Sequence, residues 1–263
     1  MNQFKLVAID LDGTLLNNDL EISPRAAATI KEAGKRGVKV TLCTGRMFAS
    51  AFPYAQELGI NVPLITYNGA LVKNSMDGEI LYERNLPLED AKDVIKICRN
   101  YDCQLNVYYQ DKLYIEDQNL WAKKYASRVK VPLNEVHDLL EFLTEPPIKL
   151  LAMGEEDVLQ LIRQELTGRQ LYITRSQPYF LEILNVEATK GKGLQAVANR
   201  LSIDRKHILA IGDNENDIEM FRYAGFAVAM ANAEEHVRMH VDYVTKTNDD
   251  DGVAEAIEKL VLR

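Results

Sequence analysis

Short apolar segments alternate with amphipathic segments towards both ends of this 263-residue chain. An apolar run over residues 4–9 ends at a carboxylate, and similar runs cover residues 38–43 and 207–211. Pro24 and Gly59 are typical of the start of one intervening helix and the end of the next. Because strands separated by helices usually pair in parallel, this alternation predicts an α/β fold, a doubly wound parallel sheet with helices on both faces.

Further elements continue this pattern. The run over residues 62–67 is expected to add a third strand after a helix over residues 46–58. Polar residues 74–78, between two apolar pairs, predict a hairpin turn. The alternation returns after Thr189, where helices are predicted over residues 192–201 and 215–223, a strand over residues 226–229, and a last helix up to residue 262.

The middle of the chain has a different pattern. Between residues 85 and 185 tyrosines are frequent, and alternating apolar stretches cover residues 104–109 and 112–115. Paired strands with intervening helices predict an α+β domain inserted into the first fold. We expect a core domain from residues 1–84 and 186–263, with an inserted cap domain from residues 85–185. Helices in this cap are predicted over residues 89–100, 118–129 and 155–166, with hinges near Arg84 and Val186.

Two aspartates follow the first predicted strand. Asp10 and Asp12 can point the same way at the strand end, where ligands bind in open α/β sheets. Gly13 allows a sharp turn after them. Carboxylates this close repel each other unless a cation or a shared proton relieves them, and a hard divalent cation such as Mg²⁺ suits all-oxygen ligands. A solvated turn with an aspartate cap is the simpler alternative.

A second acidic segment, GDNEND at residues 212–217, follows another predicted strand. Asp213 lies at the strand end, Asp217 follows one helical turn later, and Asn216 precedes it. Acidic residues also stabilise a helix N-terminus without any ligand, which is the alternative interpretation. Since two such strand ends in one parallel sheet converge on one edge, we expect both acidic segments to share a metal ion.

Two further polar groups fit an anion site at the same edge. Thr44, Gly45 and Arg46 follow the second predicted strand, where a hydroxyl group and backbone N–H groups opening a helix can hold an anionic oxygen. Lys190 precedes a predicted helix and can supply a positive charge to a phosphate. Taken singly, each residue more often has a simpler role, Thr44 as an ordinary helix cap and Lys190 as a solvated loop lysine.

Together these segments resemble a known family. DLDGTL at residues 10–15, TGR at 44–46, Lys190 and GDNEND at 212–217 resemble, in order, the four motifs of the haloacid dehalogenase-like phosphatase superfamily. An insertion between the second and third motifs resembles the C2-capped, Cof-type branch of that superfamily. YNGA at 67–70 and PYFLEI at 178–183 are similar to its YidA-type sugar-phosphate phosphatases. The resemblance implies a Rossmann-like core.

The resemblance also implies a role for each matching residue. Asp10 is the expected nucleophile, and Asp12 is the expected general acid and then base, a task that requires a raised pKa. Mg²⁺ is expected to be held by Asp10, the backbone carbonyl of Asp12 and Asp213, with Asp217 supporting these ligands. The residues expected to bind the phosphate or lie beside it are Thr44, Gly45, Arg46, Lys190, Asn216 and Asn68.

The function expected from these features is Mg²⁺-dependent hydrolysis of small phosphorylated metabolites, most of all sugar phosphates. A phosphosugar mutase of the same superfamily is one alternative. A non-enzymatic, receiver-like phosphate sensor is a second, although it needs no chamber over its aspartate. A DxD glycosyltransferase is a third, but it leaves Lys190 and the second acidic segment unused. The cap is expected to set specificity, with candidate residues Tyr108, Tyr109, Tyr179 and Glu182.

Composition limits the partners of the chain. A formal net charge of −8 and a pI near 5.2 argue against nucleic acid or an anionic membrane as a partner. Residues 1–5 do not have the pattern of a signal peptide, and an odd number of cysteines without a CxxC pair is typical of reduced thiols. The sequence therefore predicts a cytoplasmic protein, either a monomer or a weak homodimer, whose partner is a small phosphorylated metabolite.

Overall fold

The computed structural model describes residues 4–263. Residues 1–3, on which the prediction about a signal peptide partly rests, lie outside the described residues. In chain order the strands are β1 (Leu6–Ile9), β2 (Lys39–Leu42), β3 (Pro63–Thr66), β4 (Leu71–Asn74), β5 (Ile80–Glu83), β6 (Gln104–Tyr109), β7 (Lys112–Ile115), β8 (Leu133–Glu135), β9 (Lys149–Met153), β10 (Leu171–Gln177), β11 (Phe180–Asn185), β12 (Ile208–Gly212), β13 (Phe226–Ala229) and β14 (Tyr243–Val244). The helices are α1 (Pro24–Lys35), α2 (Phe48–Leu58), α3 (Leu88–Asn100), α4 (Leu120–Val129), α5 (Leu139–Phe142), α6 (Glu156–Glu165), α7 (Lys190–Leu201), α8 (Ile218–Tyr223), α9 (Glu235–Arg238) and α10 (Gly252–Leu260).

A five-stranded parallel sheet forms the core, with the order β14-β13-β12-β1-β2. β1 lies between β12 and β2, and Leu6 is opposite Ile208 on one side and Lys39 on the other. Val7 of β1 packs in a cluster with residues of α1, α2 and α10 on one face. Ala8 packs with residues of α7 and α8 on the opposite face. The predicted α/β fold with helices on both faces of a parallel sheet is confirmed.

The third predicted strand does not extend this sheet as expected. β3 pairs with β4 in a separate antiparallel sheet of order β3-β4-β5. Its links to β2 are an isolated parallel bridge between Cys43 and Ile65 and a hydrogen bond from Thr41 Oγ1 to Pro63 O at 2.6 Å. Thr44 N donates to Ile65 O at 2.9 Å beside this bridge. The hairpin turn predicted at residues 74–78 does connect β4 to β5. β3 therefore lies beside β2 without a continuous ladder, and its other edge pairs with β4.

A six-stranded sheet of order β10-β11-β9-β6-β7-β8 lies within the expected cap. Its pairs are antiparallel except for β7 with β8. Residues of α3 and α6 cover one face, whereas Tyr125 of α4 lies on the other face in a cluster with Met47 and Tyr67 of the core. One face of this sheet thus packs towards the carboxyl edge of the parallel sheet. The division at residues 84/85 and 185/186 stays a prediction.

Four helices begin two or three residues from the expected position: α2, α4, α7 and α8, the last of which follows a 3₁₀ turn over Glu215–Asp217. α2 begins at Phe48, two residues late, because Thr44 Oγ1 accepts a hydrogen bond from Arg46 N and holds this segment as a turn. The expected helix N-terminus at these residues is therefore wrong. α7 begins at Lys190, two residues early, because the Thr189 side chain caps it. In residues 4–263, no helix combines the length and the apolar character that crossing a bilayer requires.

Candidate active site

Asp10, Asp213 and Asp217 lie close together at the carboxyl edge of the parallel sheet. One carboxylate oxygen of each lies within 4.8 Å of the others. Asp10 directly follows β1, and Asp213 directly follows the neighbouring strand β12. Gly13 permits this approach, since its φ of +80° favours glycine and a Cβ atom there would collide with the Asp213 carboxylate. The two acidic segments therefore meet, as their positions at neighbouring strand ends predict.

Lys190 lies between two of these carboxylates and is fully buried. Its Nζ donates to Asp10 Oδ1 and to Asp217 Oδ1, both at 2.6 Å. Burial alone would lower the pKa of Lys190, but the charges of Asp10 and Asp217 raise it well above its ordinary value. Asp217 Oδ2 also accepts hydrogen bonds from the N–H groups of Asp213 and Asn214. Through these hydrogen bonds Asp217 fixes the position of both Lys190 and the loop after β12.

The acidic cluster fits a divalent cation. Burial raises the pKa of Asp10 well above its usual range against the opposing charge of Lys190, and the charges of Asp217 and Asp213 raise it further. Burial, followed by the charge of Asp217, raises the pKa of Asp213 to about 7. Thr14 Oγ1 donates to Asp213 Oδ1 at 2.7 Å and orients it. Lys190 offsets only one of the three negative charges, so the remaining repulsion and the all-oxygen donor set suit a hard divalent cation.

The segment after β2 forms a tight turn beside Asp10. Thr44 is buried, and its carbonyl accepts a hydrogen bond from Asn68 N at 3.0 Å. A Cβ atom on Gly45 would lie 2.9 Å from Asn68 Oδ1 and 3.4 Å from Glu182 Oε1. Glycine at this position therefore lets two polar side chains approach the turn. Thr44, Gly45 and Asp10 line the same cavity.

Asp12 forms ion pairs with two arginines. Arg46 Nε and Nη2 donate to its two carboxylate oxygens, and Arg128 Nη2, from α4 of the cap, lies 3.5 Å from Oδ1. Burial alone would raise the pKa of Asp12, but the hydrogen bonds and charges of Arg46 and Arg128 outweigh it and lower the pKa. The expectation of a raised pKa is therefore wrong for this arrangement. Neither arginine was expected to contact Asp12.

A buried polar network joins the core to the cap. Asn216 Nδ2 donates to Asn68 Oδ1 at 3.0 Å, and Asn68 Nδ2 donates to Glu182 Oε2 at 2.8 Å. Lys149 Nζ donates to the same Glu182 oxygen at 2.8 Å and to Gly45 O at 2.7 Å. Asn68 thus connects Asn216, in the second acidic segment, with the cap. The network fixes the cap side chains against the turn after β2.

The backbone around Asn68 is unusual. Tyr67, Asn68 and Gly69 all have positive φ, of 51°, 55° and 94°, and a Cβ atom on Gly69 would collide with Thr189 O. Left-handed backbone is costly for a bulky residue such as tyrosine. The Tyr67 hydroxyl donates to Asp111 Oδ1 at 2.7 Å in the β6–β7 turn. The strained turn therefore directs consecutive side chains at two different parts of the cap.

The site encloses a cavity of about 50 Å³. Of the cap residues suggested by the sequence, Glu182 lines it, and Tyr108 lies behind with its ring 4.7 Å from Lys149 Nζ. Tyr109 and Tyr179 do not line it: the former donates to Glu145 and the latter packs on Trp121. Lys149 is the first residue of the otherwise apolar strand β9. Because a lysine is rarely buried without a partner, its place there is the signal from which the sequence could have indicated a functional role. Cap residues that line the cavity without having been expected are Tyr125, Arg128, Val129, Lys149, Leu151, Ser176, Gln177 and Phe180.

Known proteins share this arrangement of motifs and sheet. The profile of the haloacid dehalogenase-like hydrolases matches residues 7–257, almost the whole chain. The chain belongs to this family. The expected family is thereby confirmed, and with it the expectation of a hydrolase.

Relatives and solved structures of this family cover the chain from end to end. The 5-amino-6-(5-phospho-D-ribitylamino)uracil phosphatase YcsE of Bacillus subtilis is 33% identical, with 98% of this chain and 96% of the relative covered. The phosphoglycolate phosphatase of Archaeoglobus fulgidus is 30% identical, with 98% and 97% covered. A haloacid dehalogenase-like hydrolase from Bacteroides thetaiotaomicron superposes with a TM-score of 0.88 at 34% identity, covering 97% and 99%. The subclass IIB sugar phosphatase BT4131 superposes with a TM-score of 0.88 at 25% sequence identity, and the superposition covers 97% of this chain and 98% of that protein.

Proposed function

We propose that this chain is a Mg²⁺-dependent phosphatase that hydrolyses small phosphorylated metabolites through an aspartyl-phosphate on Asp10. The observation that supports it most is Lys190, whose Nζ lies 2.6 Å from a carboxylate oxygen of Asp10, a residue of the cavity wall, and is held by Asp217. A buried, charged lysine beside a carboxylate suits a site that must hold a phosphate against that carboxylate. Thr44 and Gly45 line the same cavity, where they can donate to phosphate oxygens.

In the first step Asp10 attacks phosphorus. An oxygen of its carboxylate forms the new bond to phosphorus as the bond from phosphorus to the ester oxygen breaks, and Asp12 gives its proton to the leaving alcohol. Lys190 and Thr44 bind the non-bridging oxygens, whose charge grows during transfer. Asp12 must first take up a proton and turn from Arg46, because a carboxylate paired with two arginines is not an acid.

In the second step water releases the phosphate. Asp12, now ionised, accepts a proton from water, the water oxygen bonds to phosphorus, and the bond from phosphorus to Asp10 breaks. The pairing of Asp12 with Arg46 and Arg128 favours its ionised form and so suits this step. When bound by Asp10, the Asp12 carbonyl and Asp213, Mg²⁺ supplies positive charge that offsets the carboxylates and the transferring phosphoryl group.

Sugar and polyol phosphates are the proposed substrate class. BT4131 is a sugar phosphatase, and YcsE acts on a substrate whose phosphate is carried on a ribityl chain. Among the apolar residues of the cap wall, the side chains of Glu182, Ser176 and Gln177 are polar and available to hydroxyl groups. Buried free thiols at Cys43 and Cys98 support the expected cytoplasmic location.

Release of inorganic phosphate from a panel of sugar phosphates with Mg²⁺ tests this proposal. Asp10→Asn should lower kcat by about 10⁴-fold or more, while the melting temperature stays near that of the wild type. Asp19→Asn, at an exposed turn, is the control and should keep full activity. Transfer of phosphate to a second sugar hydroxyl without release would favour the mutase, and absence of turnover in the wild type would favour the phosphate sensor.

A further inference from the structure

One oxygen atom in the cavity has no partner in the structure. Glu182 on β11 is only 2% exposed, and its Oε2 accepts hydrogen bonds from Asn68 and Lys149. Its Oε1 has no hydrogen-bond donor among residues 4–263, and it faces Gly45 on the wall of the cavity. The atom is not among those that the described residues enclose without a partner, so it is open to the cavity, where a bound hydroxyl group can replace water as its donor. This atom therefore points to a ligand.

We propose that Glu182 Oε1 accepts a hydrogen bond from a hydroxyl group of the leaving alcohol and thereby selects polyol and sugar phosphates with an uncharged leaving group. This inference rests on the proposed function above, because it assigns the alcohol side of the same cavity. Gly45 follows Thr44 in the turn beside Asp10, so Oε1 lies next to the place of the ester. Glu182 is thus a specificity-determining residue.

The chemistry of the atom decides which group it takes. An ionised carboxylate oxygen only accepts hydrogen bonds, so its partner must carry a hydrogen on oxygen or nitrogen. A carboxylate or second phosphate on the leaving group would have no hydrogen to donate, and its negative charge would repel that of Glu182. Sugars and polyols supply hydroxyl groups on the carbons nearest the ester.

The position of Oε1 is fixed from both sides. Asn68 is itself held by Asn216, and Lys149 is held by Gly45 O, so the carboxylate of Glu182 cannot turn freely. Fixed acceptors discriminate well, because a substrate without the matching donor leaves them unpaired. Arg128 on the same wall would instead attract an anionic leaving group, but it already lies 3.5 Å from Asp12.

Four substrates test the proposal in the presence of Mg²⁺: glycerol 3-phosphate, n-propyl phosphate, phosphoglycolate and p-nitrophenyl phosphate. In the wild type, kcat/KM for glycerol 3-phosphate should exceed that for n-propyl phosphate by roughly 10- to 100-fold, the value of one hydrogen bond to a charged group. In Glu182→Gln the amide oxygen should turn to Lys149 and Asn68, leaving an NH₂ group towards the cavity. The preference for glycerol 3-phosphate over n-propyl phosphate should then fall to about threefold or less. The kcat/KM for phosphoglycolate should rise relative to that for glycerol 3-phosphate.

The preference is a ratio within one protein sample, so partial unfolding of the variant does not change it. Glu156→Gln, on an exposed cap helix, is the matched control and should keep the wild-type preference. Equal values for glycerol 3-phosphate and n-propyl phosphate in the wild type would overturn the inference. So would an unchanged ratio in Glu182→Gln, or a wild-type preference for phosphoglycolate. Failure of the proposed function is distinguishable, because then p-nitrophenyl phosphate is not hydrolysed either.

Discussion

Arg46 binds both carboxylate oxygens of Asp12, through Nε to Oδ2 and Nη2 to Oδ1, each at 2.7 Å. This bidentate pair holds the expected acid and base in one orientation and favours its ionised form. Removing the arginine should therefore alter both the position and the titration of Asp12.

Arg46→Gln should lower kcat/KM by about 100-fold, the scale of a misplaced catalytic group. The pKa of Asp12 should rise, because burial is then opposed by Arg128 alone. Since the first step needs protonated Asp12, the decline of activity at high pH should move to higher pH. The pH dependence of kcat/KM measures this shift. In the control Arg36→Gln, at an exposed helix end, activity should decline at the same pH as in the wild type. An unchanged profile in Arg46→Gln would contradict the assignment.

Gly13→Ala should disrupt the acidic cluster. Its φ of +80° strains any side chain, and the added Cβ would meet the Asp213 carboxylate. We expect kcat to fall by about 100-fold or more, measured as phosphate release. Gly59→Ala has a similar φ of +69° but open space around it, so it should cost about 1 kcal/mol of stability and no activity. Equal activity of the two variants would refute the steric argument.

Mg²⁺ should stabilise the protein more at pH 8 than at pH 5.5. Since burial and Asp217 raise the pKa of Asp213 to about 7, the folded state holds this proton between the unfolded pKa of about 4 and pH 7. Stability of the metal-free protein should therefore fall as pH rises through that window, where the carboxylate ionises. At 100 times Kd, Mg²⁺ should raise the melting temperature by about 5–10 °C at pH 8.

At pH 5.5 protons compete with Mg²⁺ for the carboxylates, so the rise in melting temperature caused by Mg²⁺ should be smaller than at pH 8. Asp213→Asn should abolish most of the shift at pH 8, whereas Asp242→Asn, outside the acidic cluster, should retain it. Thermal unfolding with and without Mg²⁺ at both pH values gives these shifts. A larger shift at the lower pH would show that the sign of the linkage is wrong.

Lys149→Met should destabilise the fold by about 3–5 kcal/mol, because it leaves the buried Glu182 carboxylate without its cation. For a chain of this length that lowers the melting temperature by roughly 10 °C. Arg222→Met breaks the exposed pair with Glu219 and should cost less than about 1 kcal/mol. Adding Glu182→Met to Lys149→Met should recover much of the loss; a further loss would argue against an unpaired charge as its cause.

The core of the site follows from local sequence patterns. Asp10 and Asp213 each come directly after a buried strand, and parallel strands present their carboxyl ends at one edge. Glycine at position 13 indicates the sharp turn that brings them together. Such features depend on a few neighbouring residues and one sheet rule, so the sequence is enough to predict them.

The cap side of the site depends on contacts between distant segments. Arg128 reaches Asp12 across more than a hundred residues, and its place on the last turn of α4 gives no hint of that partner. Likewise, Arg46 was expected at a helix start, but the hydrogen bond within the Thr44 turn delays α2. The pKa of Asp12 was misjudged for the same reason, since its sign depends on these two arginines.

The ion pair of Lys149 and Glu182 joins two strands of the same sheet, β9 and β11. Its links to the core, through Gly45 O and Asn68, are hydrogen bonds to uncharged groups. Separation of the two sheets would break these neutral links and the ion pairs of Arg128 with Asp12 and of Arg163 with Glu215, but not the pair of Lys149 with Glu182. The most deeply buried charges, those of Lys149 and Glu182, thus remain each other's counter-ions, and the pairs that would separate have side chains that water already reaches.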